Sequence, residues 1–198
     1  MKWTTARLRI ELETETPPLA VDLSRIQTAN CHVRVCVREA ETSDIDCICS
    51  VNRESITELA DQSYDADQIS AWANAVDPEL YPVDSGDTYF LVAEEGEQII
   101  GIGWMTTEPD DYFHAPVDSE ITGVYVAPDA VGRGVGTRLY NKLERFATER
   151  NVASLGLWAS LNAISFYEKH GYERVTDQTL EYQDEIELPV LEMQKQLD

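Results

Sequence analysis

A glycine-rich turn carries the clearest chemical signal in the sequence. Gly132, Gly134 and Gly136 occupy alternate positions, with an apolar run at residues 124–126 before them and an amphipathic stretch after them. Glycine lets the backbone adopt conformations closed to other residues and approach a ligand closely. A helix that starts after such a turn presents free N–H groups and the positive end of its dipole to an anion. The pattern indicates a site for a pyrophosphate-bearing ligand; the alternative is a plain strand-to-helix turn.

Two common nucleotide-binding motifs do not fit this turn. A P-loop, G-x-x-x-x-G-K-[ST], needs glycine and then lysine where Thr137 and Arg138 follow Gly132. The dinucleotide fingerprint is G-x-G-x-x-G, whereas the three glycines here give G-x-G-x-G. Arg133 and Arg138 add positive charge beside the turn in an otherwise acidic chain, which again favours a phosphate group as ligand.

The cysteines lie near His32 but lack the spacing of a metal site. They are Cys31, Cys36, Cys47 and Cys49. No C-x2-C pair occurs among them, so a compact zinc pattern is absent. Cys36 lies in a strand-like run, and the last two lie in a helix-like run. We therefore expect buried, reduced thiols and no bound metal.

The charge balance narrows the possible partners. Fifteen Lys and Arg residues stand against 37 Asp and Glu residues, a formal net charge of −22 over 198 residues. Such a surface repels nucleic-acid phosphates and anionic lipids, so we expect neither nucleic acid nor membrane as partner. Scattered acidity with little lysine resembles proteins of cells with molar salt in the cytoplasm, where screening acts over about 3 Å. An ordinary acidic protein with a solvated surface is the alternative.

The first part of the chain differs in charge from the rest. In residues 1–32 the basic and acidic residues cancel, so the whole net charge of −22 belongs to residues 33–198. We expect residues 1–32 to be an N-terminal extension and residues 33–198 to form one domain. No apolar run reaches the roughly 18 residues of a membrane span, and the start lacks the pattern of a secretory signal. The expected location is therefore cytoplasmic.

Hydrophobic periodicity predicts the elements that position the turn. Alternation predicts strands and a spacing of three or four residues predicts helices. Strands are expected near residues 33–38, 89–93, 99–105, 120–127, 154–159, 172–180 and 188–195. Helices are expected near residues 45–59, 67–75, 134–150 and 163–170, the first capped by Ser43 or Asp44. The order predicts an α/β fold with a mixed sheet of about seven strands flanked by helices.

Two motifs in this order resemble the GNAT superfamily of acetyl-CoA-dependent N-acetyltransferases. The first is Val124-Tyr125-Val126, then Pro128 and Gly132-Arg133-Gly134-Val135-Gly136, which looks like the acyl-CoA motif of that family. The second is Asn162, Phe166-Tyr167 and Gly171-Tyr172, which resembles its Asn, aromatic–Tyr and Gly–aromatic hallmark. The resemblance spans about residues 33–197. It implies a mostly antiparallel sheet whose fourth and fifth strands splay apart to hold acetyl-CoA, with Gly123 marking a bulge that opens the cleft.

The resemblance also implies a set of cofactor-binding residues. The pantetheine arm would lie along residues 124–126, the main-chain amides of residues 132–137 would hold the diphosphate, and Asn162 would hydrogen-bond the pantetheine or adenosine portion. Val131 stands where the family usually has Gln or Arg, so we expect weaker CoA binding. The expected cofactor-binding residues are Val124, Tyr125, Val126, Val131, Gly132, Arg133, Gly134, Val135, Gly136, Thr137, Asn162 and Tyr167.

Two residues are expected to act in catalysis, again by resemblance. Tyr167 would give a proton to the departing CoA thiolate, and Glu120 would accept one from the amine. His114 is a second candidate for the base. The acceptor amine would bind near the first two helices and the loop at residues 106–119. Aromatic candidates for that site are Tyr64, Trp72, Tyr81, Tyr112 and Phe113.

These expectations leave three functions open. The resemblance implies an N-acetyltransferase in which a small-molecule or peptide amine attacks acetyl-CoA directly in a ternary complex, with a homodimer as one possible assembly. The alternative is a non-catalytic acyl-CoA sensor or interaction module on the same fold. A plain interaction protein with an acidic face would have no affinity for CoA.

Overall fold

A computed structural model describes residues 34–109, 112–182 and 186–197. The expected N-terminal extension, residues 1–32, lies outside the described residues. Within the described ranges the strands and helices follow one another in the predicted order, each close to its predicted position. None of the helices in these ranges offers the length and hydrophobicity that a bilayer crossing requires.

The elements are numbered in chain order. The strands are β1 (Cys36–Glu39), β2 (Thr88–Glu95), β3 (Gln98–Thr106), β4 (Ser119–Val126), β5 (Ser154–Ser160), β6 (Glu173–Glu181) and β7 (Glu187–Gln196). The helices are α1 (Ile45–Leu59), α2 (Ala66–Asn74), α3 (Val135–Glu149) and α4 (Ile164–Lys169).

The strands form one mixed sheet in the order β1-β2-β3-β4-β5-β7-β6. Every neighbouring pair is antiparallel except β4 and β5, which are parallel. Their pairing covers only Ser119 with Leu155 and Glu120 with Gly156, after which the two strands separate. The expected α/β fold, with strands four and five splayed, is therefore confirmed.

A β-bulge lies at the point of separation. Gly123 pairs with Trp104 and Ile121 pairs with Met105, so Thr122 is an extra residue on β4. A Cβ atom at Gly123 would lie 2.7 Å from the Tyr125 ring and 2.9 Å from the Trp104 ring, which explains why glycine stands here. Because a bulge bends its strand, this one supports the divergence of β4 from β5.

The two faces of the sheet are covered by different helices. On one face α3 buries Leu139, Leu143 and Ala147, residues at helical spacing that pack with Leu155 of β5. On the other face α1 buries a second cluster that includes Ile48 and packs with β2 and β3. The cleft between β4 and β5 lies between two well-packed layers, which fix the positions of its walls.

Two predictions on individual side chains need correction. Cys49 is buried as expected, but Cys36 and Cys47 are exposed because they lie on the outer faces of β1 and α1; these three thiols are free. Asp44 precedes α1 but makes no side-chain cap with it. Its carboxylate instead accepts hydrogen bonds from the Glu41 main-chain nitrogen at 2.8 Å and from Arg38 at 2.7 Å.

Candidate active site

A cavity of about 690 Å³ opens where β4 and β5 separate. Its walls come from α1, the main chain of β4, the start of α3, the end of β5, α4 and the β6–β7 pair. Beyond Glu120, β4 keeps its pairing with β3 on one side while its other edge lines the cavity. The separation of the two strands therefore leaves a strand edge to which an extended ligand can add.

The side chains of residues 124–126 anchor this edge. Val124 and Val126 pack toward the cluster under α3, and Tyr125 packs toward the cluster under α1. The Tyr125 ring lies 5.9 Å from that of Trp104 and 6.4 Å from that of Trp72. All three residues line the cavity. Their side chains take part in packing, so the main chain is the part of this edge that is available to a ligand.

The glycine turn leads into α3 at one end of this cavity. Gly132 and Gly134 have φ values of +76° and +77°, the left-handed region that favours glycine, and a Cβ on either would meet nothing within 4 Å. Gly134 is the N-cap of α3 and no side chain caps the helix. Gly136 in the first turn lines the cavity. The N–H groups of this first turn thus have no partner within the helix and suit an anion.

The side chains around the turn differ in their exposure and in their contacts. The Val135 side chain is 1% exposed and packs in the core, while Val131 is 51% exposed and Thr137 is exposed. Arg133 forms an ion pair with Glu95 at the end of β2, which the sequence did not indicate. Arg138 is exposed and makes no side-chain hydrogen bond or ion pair with another described residue.

Tyr167 of α4 lies on the cavity wall and is only 6% exposed. The rings of Phe166 and Tyr172 pack on it with centroids at 5.1 and 5.6 Å. Its hydroxyl forms no hydrogen bond to another described residue. Burial raises the pKa of Tyr167 above that of a free phenol, so the hydroxyl is protonated at neutral pH.

Glu120 lies at the base of the cleft, in the last residue pair that joins β4 to β5. It is 8% exposed and lines the cavity. The hydroxyl of Tyr112 donates a hydrogen bond of 3.3 Å to its Oε2. The carboxylate therefore faces the cavity from a position that both strands hold.

Asn162 also lines the cavity, beside the turn between β5 and α4. Its Nδ2 donates a hydrogen bond of 3.1 Å to the carbonyl oxygen of Leu59, the last residue of α1. The side chain thus ties α1 to the start of α4. This contact joins two walls of the cavity and was not foreseen from the sequence.

Comparison with known proteins identifies the fold and its family. The model of the acetyltransferase (GNAT) family matches residues 53–172, which is more than half of the chain. The chain belongs to the GNAT family of acetyltransferases. The glycine turn and Tyr167 lie inside the matched part of this GNAT chain.

Three GNAT relatives illustrate the likeness. The uncharacterized N-acetyltransferase YafP of Escherichia coli is 26% identical over 145 residues, 73% of this chain and 85% of that protein. A GCN5-related N-acetyltransferase from Rhodopseudomonas palustris has a TM-score of 0.70 at 28% identity, covering 82% of this chain and 96% of that one. The PaiA N-acetyltransferase of Thermoplasma acidophilum, solved with coenzyme A, has a TM-score of 0.62 at 17% identity over 83% of this chain and 99% of that one. The last of these supports the fold alone.

The far wall of this GNAT cleft escaped the sequence analysis. The lining residues opposite β4 are Leu180 of β6, Tyr182 just after that strand, and Leu188 and Val190 of β7. Within β7, the alternation of apolar residues is the local sequence signal that Leu188 and Val190 share a face. Three of the expected acceptor-site aromatics, by contrast, do not line the cavity: Tyr64 and Tyr81 are buried away from it, at 5% and 7% exposure, and Phe113 is half-buried outside it.

His114, the second candidate for the base, is held elsewhere. Its Nδ1 lies 3.2 Å from Glu192 and 2.8 Å from Gln178, and it does not line the cavity. No group of three or more His, Cys, Asp or Glu side chains with the geometry of a metal site occurs in the described ranges.

Proposed function

We propose that this GNAT chain transfers the acetyl group of acetyl-CoA to a primary amine while both substrates occupy the cleft. One observation carries the proposal. A single cavity is bounded by the edge of β4 and the first turn of α3, and it also contains two buried groups suited to proton transfer, Tyr167 and Glu120. The surface that would bind acetyl-CoA and the groups that would transfer protons therefore line the same cavity.

The residues present fit acetyl-CoA. The uncapped first turn of α3 and the left-handed glycines Gly132 and Gly134 suit a diphosphate, because N–H groups there are available and no side chain stands close. The edge of β4 suits the amide-bearing pantetheine arm. Acetyl-CoA supplies an activated thioester, so the exchange forms one C–N bond and breaks one C–S bond.

Tyr167 and Glu120 have distinct roles in this proposal. An alkyl ammonium has a pKa of about 10.4, so at neutral pH an amine must lose a proton before it can attack a carbonyl. Glu120 accepts that proton from the amine nitrogen, directly or through water. Tyr167 holds its own proton at the hydroxyl and gives it to the sulfur that leaves. Once the C–N bond has formed, the nitrogen releases a second proton, which restores Tyr167, and Glu120 passes the first proton to solvent.

The test is release of free thiol from acetyl-CoA across a panel of primary amines, with Tyr167→Phe as the variant. Tyr172→Phe is the matched control, because Tyr172 is buried against the Tyr167 ring but does not line the cavity. We expect kcat to fall at least tenfold in Tyr167→Phe with acetyl-CoA affinity unchanged, and to stay near the native value in Tyr172→Phe.

Each other result has a definite meaning. Equal losses in the two variants would show that Tyr167 acts only through packing. Calorimetric binding of acetyl-CoA without thiol release by any amine would favour the acyl-CoA sensor. Absence of binding at both low and molar KCl would remove the proposed function altogether.

A further inference from the structure

We infer that the Ser55 hydroxyl of α1 binds acetyl-CoA through a hydrogen bond to an amide of the pantetheine arm. This role rests on the proposed function, and it adds a residue that lies outside both sequence motifs. Ser55 is 8% exposed and lines the cavity. Its hydroxyl makes no hydrogen bond to another described residue. The side chain therefore brings an unused donor and acceptor to the cavity wall.

The other two hydroxyl side chains of α1 have partners within the helix. Ser50 donates a hydrogen bond of 2.9 Å to the Glu54 carboxylate, and Thr57 donates one of 2.9 Å to the carbonyl oxygen of Arg53. A hydroxyl in a helix commonly bonds to the carbonyl four residues earlier, as Thr57 does here. Ser55 does not use that local partner, so its hydroxyl is left available to a group from outside the helix.

The Ser55 hydroxyl is also accessible from the cavity. Within the described ranges, the side-chain atoms that are sealed from solvent and lack a hydrogen-bond partner belong to Asn52, Ser119, Trp158 and Tyr172. Ser55 is not among them, although its hydroxyl is equally unpartnered, so its oxygen keeps some accessible surface. In the free protein water can reach this oxygen. A polar group of a bound ligand can replace that water.

The position of Ser55 along α1 selects the pantetheine arm as its partner. Residues four apart lie on one face of a helix, so Val51, Ser55 and Leu59 form a row. Val51 lines a neighbouring groove together with Ala127, the residue that follows β4. The carbonyl oxygen of Leu59 accepts the hydrogen bond from Asn162. Ser55 therefore lies between the end of β4 and the start of α4, beside the strand edge that suits the pantetheine arm.

The chemistry of the arm matches a single uncharged hydroxyl. Pantetheine carries two uncharged amides, and a strand edge reaches such a chain from one side only. A serine hydroxyl both donates and accepts, so it suits the N–H or the C=O of an amide. The other α1 residues on the cavity wall, Ile56 and Leu59, have apolar side chains. Ser55 is thus the side chain through which α1 can hydrogen-bond the arm.

The experiment is calorimetric titration of Ser55→Ala with CoA, and Ser119→Ala is the matched control. Ser119 is 0% exposed and its hydroxyl also lacks a partner, but it is sealed from solvent and does not line the cavity. We expect Ser55→Ala to bind CoA roughly three- to tenfold more weakly, as for the loss of one neutral hydrogen bond. Ser119→Ala should bind CoA like the native protein. Affinity for ADP, which has the diphosphate without the pantetheine arm, should be the same in all three proteins.

Two further measurements distinguish a binding role from a structural one. The melting temperature of free Ser55→Ala should equal or exceed the native value, because the hydroxyl has no partner to lose and alanine favours a helix. A lower melting temperature would assign the hydroxyl to the fold and overturn the inference. Ser55→Cys keeps a side chain of similar shape with a weakly hydrogen-bonding sulfur, so it should bind CoA as weakly as Ser55→Ala. Native affinity in Ser55→Cys would show that packing alone matters.

The remaining outcomes separate this inference from the proposed function. Native CoA affinity in Ser55→Ala would overturn the role of Ser55 while acetyl transfer stands. A raised KM for the amine with unchanged CoA affinity would overturn it in favour of a contact with the acceptor. Equal weakening of CoA and ADP would move the effect from the pantetheine arm to the diphosphate. Absence of CoA binding by the native protein would remove both the role of Ser55 and the proposed function.

Discussion

The main-chain nitrogen of His114 donates a hydrogen bond of 2.9 Å to Oε1 of Glu192, a carboxylate whose side chain is only 2% exposed. The other oxygen of Glu192 accepts from Gln178 at 3.2 Å. Glu192 pairs across the sheet with Trp158, the residue on which Tyr112 packs. A buried acid in β7 therefore fixes the segment that brings Tyr112 to Glu120.

We predict that Glu192→Ala selectively weakens amine binding in the part of the cavity near Tyr112 and Glu120. Loss of a buried hydrogen-bond acceptor costs about 1–3 kcal/mol, so we expect KM for the amine to rise roughly tenfold. KM for acetyl-CoA should stay unchanged, because the α3 turn lies at the other end of the cavity. Glu192→Gln keeps an acceptor for His114 and should restore most of the amine affinity. Steady-state kinetics, with each substrate varied in turn, measures the two KM values. An equal rise in both would contradict the prediction.

The two left-handed glycines should control CoA affinity through the backbone alone. Alanine at Gly132 or Gly134 meets no neighbouring atom but is strained at φ near +76°, by about 1–2 kcal/mol. We expect each variant to bind acetyl-CoA several-fold more weakly in calorimetry. Gly86→Ala is the control, because a Cβ there also meets nothing and φ is not left-handed. Equal affinities in all three variants would show that the turn conformation does not matter for binding.

The ion pair of Arg38 and Asp44 should give stability that depends on pH. Two hydrogen bonds from Arg38, at 2.7 and 3.0 Å, hold the pKa of Asp44 below its usual value. A carboxyl whose pKa is lowered by folding stabilises the protein above its unfolded pKa of about 3.9, and this contribution is lost as pH falls toward the folded value.

Asp44→Asn should therefore lower the free energy of unfolding by about 1–3 kcal/mol at pH 7. The difference from the native protein should shrink below about pH 4. Urea unfolding at a series of pH values measures it. Ser43→Ala, an uncharged change at the exposed position next to Asp44, is the control, and its effect should be the same at every pH. A difference that persists unchanged to low pH would indicate that packing, not charge, is responsible.

The net charge of −22 predicts that salt stabilises the fold. Repulsion among exposed carboxylates falls as the screening length shortens from about 10 Å at 0.1 M to about 3 Å at 1 M. We expect the melting temperature to rise by several degrees between 0.1 M and 1 M KCl, measured by circular dichroism. NaCl should act like KCl, since the effect is general screening. A melting temperature that falls or stays constant would assign the acidity to an ordinary solvated surface.

The sequence by itself determined the order of the elements and the glycine turn that leads into α3. Both depend on local patterns: the apolar runs of β2 and β3, the helical spacing of Leu139 and Leu143, and the need for glycine at positions 132 and 134. Such patterns arise from the geometry of a single strand, helix or turn, and can be read without knowing what packs against it.

Only the tertiary structure decided the opposite side of the cavity. Leu180 and Leu188 reach the cavity because β7 inserts between β5 and β6, and Glu192 meets His114 across 78 positions of sequence. The pairing of Arg133 with Glu95, and of Asn162 with Leu59, likewise joins distant segments. No periodicity along the chain encodes such contacts, because they depend on how several elements pack against one another. The glycine turn is therefore local in the sequence, and the wall that β6 and β7 add to the cavity is a product of the fold.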